Sequence, residues 1–188
     1  METQQPTDLE LIQQIRAGSD AGFEELMRRY KKPVLNFVYR LLGNATEADD
    51  VAQDAFVRAY QRLASYRPEE KFSTWLFTIA RNAAIDRLRY RQRHPTAPLD
   101  AAPEPFAVSN EVANRELGAQ IAAAVQALPE DQRTALVLAE YHDMSYVEIA
   151  GIMRCSEKSV ESRLYRAKQT LRQRLQSLGV TPIKIEGK

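Results

Sequence analysis

Lys158, Ser159, Ser162, Arg163, Arg166 and Lys168 combine cations and short hydroxyls on one predicted basic helix near the end of the chain. Such side chains suit phosphates and base edges when a helix enters a DNA groove. A second group interleaves aromatic rings and arginines. Tyr60, Tyr66, Phe72, Trp75, Phe77 and Tyr90 bracket or share a predicted helix with Arg81, Arg87, Arg89, Arg91 and Arg93. Rings beside a cationic track are what single-stranded nucleic acid needs, since bases stack while the backbone is neutralised. Phe77 reads as core. A third group is the stripe Asp50, Gln53, Asp54, Val57 and Gln61, spaced for one helical face. Alone, it reads better as a solvated face whose early acids complement the helix dipole. Its functional reading comes from the segment that follows.

Enzyme signatures are absent from this pattern. His94 and His142 are the only histidines, and they fall in different predicted domains, which offers no His-rich metal site. There is no Gly-rich phosphate loop and no nucleophile motif around a serine or around Cys155. The expectation is a protein without cofactor or catalytic step.

The elements that must position these residues follow from periodicity and capping. Thr7 with Glu10, and Ser145 with Glu148, have the spacing of capping boxes, so helices are expected to start behind Thr7 and Ser145. A longer helix is expected over about 21–42, kinked or divided by Pro33 and ended by Gly43-Asn44. A third is expected from behind Thr46 to about Ala64, and a fourth from Thr74 to about Arg93 with Ser73 as N-cap. Further helices are expected over about 111–127 and from Pro129 to Tyr141. The last pair is a helix-turn-helix with its turn at Arg154-Cys155-Ser156. Its second helix buries Val160, Leu164, Ala167, Leu171 and Leu175.

Composition supports this layout. The chain has 188 residues and only 7 glycines, and its Ala/Leu/Glu/Arg/Gln-rich content favours helix. The net charge of +1 conceals segregation: residues 47–54 hold acids and no base, whereas 81–93 hold five arginines and only Asp86. Local fields steer binding, so near-neutrality does not argue against nucleic acid. A single cysteine fits a reducing compartment. The N-terminus is unlike a signal peptide, and apolar runs are far shorter than a membrane span. A soluble, cytoplasmic protein is expected. Its fold class should be all-α, with two small helical domains, 1–94 and 111–178. A flexible Pro-rich linker, 95–110, joins them, and 179–188 form a tail.

Taken together, these motifs resemble the extracytoplasmic-function sigma factors, small members of the sigma-70 family of bacterial RNA polymerase subunits. The run EADDVAQDAFVRAYQRL (47–63) is similar to the family's polymerase-binding helix. FSTWLFTIARNAAIDRLRYRQR (72–93) is similar to its segment for opening and reading the −10 element, and 127–175 to its −35-reading domain. The resemblance implies that Asp50, Gln53, Asp54 and Val57 meet core RNA polymerase. It implies that the loop 65–72, with Glu69, Lys71 and Phe72, captures unstacked promoter bases together with Trp75 and Asn82. Arg81, Arg87 and Arg89 then hold phosphates, and Lys158, Ser159, Ser162, Arg163, Arg166 and Lys168 serve the −35 DNA. An anti-sigma factor is a further implied partner. Two other readings fit the residues: a helix-turn-helix regulator acting without polymerase, and a helical adaptor whose basic face binds an acidic protein.

Overall fold

A computed structural model of the chain describes residues 5–95 and 112–177. Among them are eight α-helices and no strand: α1 (Asp8–Arg16), α2 (Ala21–Leu42), α3 (Ala45–Arg62), α4 (Phe72–Arg93), α5 (Val112–Gln126), α6 (Glu130–His142), α7 (Tyr146–Met153) and α8 (Glu157–Ser177). The expected linker and tail lie almost wholly outside the described residues.

Both capping boxes form. Thr7 N donates to Glu10 Oε2 at 2.7 Å while Thr7 Oγ1 accepts from Glu10 N, and Ser145 and Glu148 repeat the exchange at α7. Each satisfies two donors that a helix start leaves open. Three local expectations need correction. α3 starts earlier than expected, because Asn44 Oδ1 accepts from Glu47 N at 2.9 Å and so caps it. α4 starts at Phe72 behind Lys71, with no side-chain cap; Ser73 lies inside the first turn because Phe72 is drawn into the core. Pro33 does not divide α2 into two helices, since Leu26 before it and Val34, Phe37, Val38 and Leu41 after it are all buried and share one core.

Helices α1 to α4 form one bundle, in which α2 packs on α1, α3 and α4, and α3 on α4. Gly22 lets α1 and α2 touch: a Cβ there would lie 2.6 Å from the Leu11 carbonyl oxygen. Helices α5 to α8 form the second bundle around Leu138, Ile149, Ile152 and Val160. The two bundles also pack on each other, α2 against α5 and α6, and α4 against α7, in one continuous apolar core. Gly43 ends α2 at φ 71°, and the Gln126 side chain sits 3.0 Å from where its Cβ would be. Gln126 Nε2 then donates to the Arg40 carbonyl at 2.7 Å.

Candidate protein and nucleic-acid interfaces

Between α2 and α3 lies an open groove of about 700 Å³, walled by Phe23, Met27, Leu35, Phe56, Val57 and Tyr60. Phe23 and Tyr60 meet edge to face at 4.8 Å, and Tyr60 Oη donates to Asp20 at 3.4 Å. The rim is mostly acidic: Asp20, Glu24 and Asp49 against Lys31. An apolar floor with carboxylates around it suits a partner helix carrying apolar anchors and cations. Of the residues expected from sequence, Gln53 and Val57 line the groove. Asp50 and Asp54 do not; Asp50 is exposed, and Asp54 pairs with Arg58 at 2.7 Å. Phe23, Met27 and Tyr60 join the site although the sequence pattern assigns the first two to a buried stripe. The available signal was Val57 and Tyr60, three residues apart and both about half exposed.

Tyr66, Phe72 and Trp75 interlock at the start of α4, with ring centroids 5.4–5.8 Å apart. Phe72 is 3 % exposed, held by Tyr30 on its other side. It therefore belongs to the core and offers no face to a base, which corrects its expected role. Trp75 is half-buried. The loop is braced by Tyr66, whose hydroxyl donates to the Glu70 carbonyl at 2.7 Å and whose own carbonyl accepts from Arg16. Glu69 and Lys71 stay exposed on it, and Lys71 Nζ reaches Glu148 of α7 at 2.8 Å. That bond is the main reason the Glu148 carboxyl is held down at about 2.

Helical spacing puts Trp75, Asn82 and Arg89 on one face of α4, and the latter two are exposed. Arg81 and Arg87 are not brought onto that face. Arg81 is largely buried and its Nη2 lies 3.4 Å from Asp131; burial pushes its pKa down. Arg87 pairs with Glu47 at 2.9 Å, and Arg91 reaches the same carboxylate at 3.3 Å. Glu47 of α3 therefore supplies counter-charge to both Arg87 and Arg91.

In the helix-turn-helix, Arg154 adopts φ 51° and Cys155 N donates to the Ala150 carbonyl at 3.0 Å, closing α7. Ser156 Oγ accepts from Ser159 N at 3.2 Å and opens α8. Val160, Leu164 and Ala167 are buried. Lys158, Ser162 and Arg166 stand exposed at i, i+4 and i+8, a single outward stripe. Ser159 and Arg163 turn sideways instead: Arg163 donates to Cys155 Sγ at 2.9 Å and pairs with Asp131 at 3.1 Å. Lys168 is tied to Glu140 at 2.8 Å. Tyr165, 69 % exposed beside Arg166, completes the outward face and is missing from the sequence-predicted set. An aromatic just outside the apolar stripe was its only signal. Among the described residues no His/Cys/Asp/Glu group could hold a metal ion, and no helix is long and apolar enough to cross a membrane.

The geometry has counterparts in known proteins. Residues 26–94 match the family described as Sigma-70 region 2, and residues 118–171 the family described as Sigma-70, region 4. The RNA polymerase sigma-H factor of Pseudomonas aeruginosa is 34% identical over 186 residues, covering 93% of this chain and 96% of that protein. The ECF RNA polymerase sigma factor SigW of Bacillus subtilis is also 34% identical, covering 89% of this chain and 96% of SigW. The solved structure of CnrH in complex with the cytosolic domain of CnrY superposes with a TM-score of 0.70 at 28% identity, covering 89% of this chain and 96% of CnrH.

Proposed function

Because the chain belongs to the sigma-70 family of RNA polymerase sigma factors, in its extracytoplasmic-function group, we propose that it docks core RNA polymerase in the α2–α3 groove and directs it to promoters through two DNA-reading faces. The observation that carries this reading is the joint presence, on one chain, of an apolar acid-rimmed groove, the Trp75–Asn82–Arg89 face and the outward basic stripe of α8.

The groove takes a helix of the polymerase; Val57 and Tyr60 supply apolar contact, and the surrounding carboxylates meet its cations. At the −10 element, unstacking a base costs a few kcal/mol. A base stacked on the half-buried Trp75 ring returns about 1–3 kcal/mol, Glu69 and Lys71 on the loop set base preference, and Arg89 holds the backbone. At the −35 element, Lys158, Ser162 and Arg166 enter the major groove with Tyr165 beside them. A bidentate arginine–guanine pair there is worth about 1–3 kcal/mol of discrimination. The chain acts by binding and catalyses no reaction, it works in the cytoplasm, and an anti-sigma factor is its natural antagonist.

Co-purification with core polymerase tests the docking step. Glu24→Arg combined with Asp49→Arg reverses charge at two exposed positions on the groove rim, and the complex is expected to be lost while helical content stays unchanged. A regulator that acts without polymerase would show no complex even for the wild type.

A further inference from the structure

His142, the last residue of α6, stands where the two bundles meet. Its ring lies edge-on to Phe37 of α2 at 5.8 Å and to Phe77 of α4 at 4.9 Å, and those two phenylalanines contact each other at 5.2 Å. Its Nε2 is buried without a hydrogen-bond partner. The same interface ties down two cations expected to serve DNA: Lys71 on Glu148, and Arg81 on Asp131. We propose that His142 is an acid-sensitive wedge: neutral, it holds the two bundles closed, and protonated, it forces them apart and releases Lys71 and Arg81. The release of the bundles is independent of the function proposed above; only its consequence for DNA rests on that reading.

A neutral imidazole fits between two aromatic edges, whereas an imidazolium there has no carboxylate against it and its buried N–H has no acceptor. The charges around it oppose protonation on balance. Burial is the first cause, and the Arg40 guanidinium on α2, seated 3.6 Å over the neighbouring Tyr141 ring, is the second; Asp143 pulls weakly the other way. The acids and cations of the other elements face elsewhere: Arg81 of α4 toward Asp131, Glu148 of α7 toward Lys71, and Lys168 of α8 toward Glu140. Together they hold the ring at about 4, against its ordinary 6.5. The closed form is therefore fully favoured above pH 6.5, and that preference is lost as pH falls from 6.5 toward 4. At pH 5.5 the open-to-closed ratio rises about tenfold over its value at pH 7.5.

Small-angle scattering of the full chain reads the opening, and proton NMR of its two histidines reads the titration. The open fraction is followed from pH 7.5 to pH 5 in the wild type and in Asp131→Asn/Glu148→Gln, where weaker latches bring the equilibrium into range. Expected are one depressed histidine titration, an acid-driven rise in radius of gyration, and loss of both in His142→Phe, which fills the same space without a proton site. Arg40→Gln should raise the histidine's pKa and blunt the transition. A pH-independent radius in both backgrounds, or the same expansion in His142→Phe, overturns the wedge. If the halves separate in acid but DNA affinity does not rise, the wedge stands and the assigned DNA roles of Lys71 and Arg81 fall.

Discussion

Val57→Asp separates polymerase docking from folding. Val57 is 54 % exposed, so about half its side chain is already in water and the substitution removes little core. Valine and aspartate have similar helix propensity, and a like-charge contact with Asp54 three residues earlier costs a few tenths of a kcal/mol. Folding stability should thus change by no more than about 0.5 kcal/mol. The complex responds differently. Covering the remaining half of Val57 contributes about 1 kcal/mol, and a carboxylate buried there without a cation costs about 2 kcal/mol or more. A loss near 3 kcal/mol raises Kd more than about 100-fold. Circular dichroism establishes the fold, and competition for labelled core polymerase gives the affinity. A well-folded Val57→Asp protein that binds polymerase as tightly as wild type would remove the α2–α3 groove from the interface.

Arg166→Ala should lower affinity for −35 duplex DNA by about 1–3 kcal/mol if it contacts a base, or flatten the salt slope by about one unit if it contacts a phosphate. Arg163→Ala, already paired with Asp131 and Cys155, should do less; anisotropy titrations across salt concentrations read the ranking, and the reverse order would refute it. Arg89→Ala should weaken promoter opening at every promoter, and pre-opened bubble templates should partly rescue it in permanganate footprinting. Arg87→Ala should instead lower stability by under about 1 kcal/mol through its lost Glu47 pair, with a smaller opening defect. Leu138→Ala, at a fully buried position, should cost about 2–5 kcal/mol in denaturant melts.

Much of the helical frame was legible because its determinants are local. Thr7 with Glu10, and Ser145 with Glu148, sit three residues apart, and each pair closes the helix start that the sequence pattern expects. The α8 stripe from Val160 to Ala167 was readable from period alone. Pairings across the chain were not. Glu47 finds Arg87 forty residues later, and Asp131 gathers Arg81 and Arg163 from different bundles. No spacing rule encodes either. Phe72 was misread for the same reason: exposure of a ring at a helix start depends on Tyr30, more than forty positions earlier, which covers it. The groove needed α2 and α3 side by side before Phe23 and Tyr60 could be seen as one wall. The closed packing of the two bundles, and His142 within it, depends on contacts that a reading of two separate domains does not contain.

The most direct test of the central claim is transcription by purified core polymerase with and without this chain, followed by sequencing of the RNA 5′ ends. The account predicts starts at a restricted set of promoters sharing −35 and −10 elements only when the chain is present, and loss of those starts with Val57→Asp. Identical start sites with and without the chain, despite its binding duplex DNA, would contradict it.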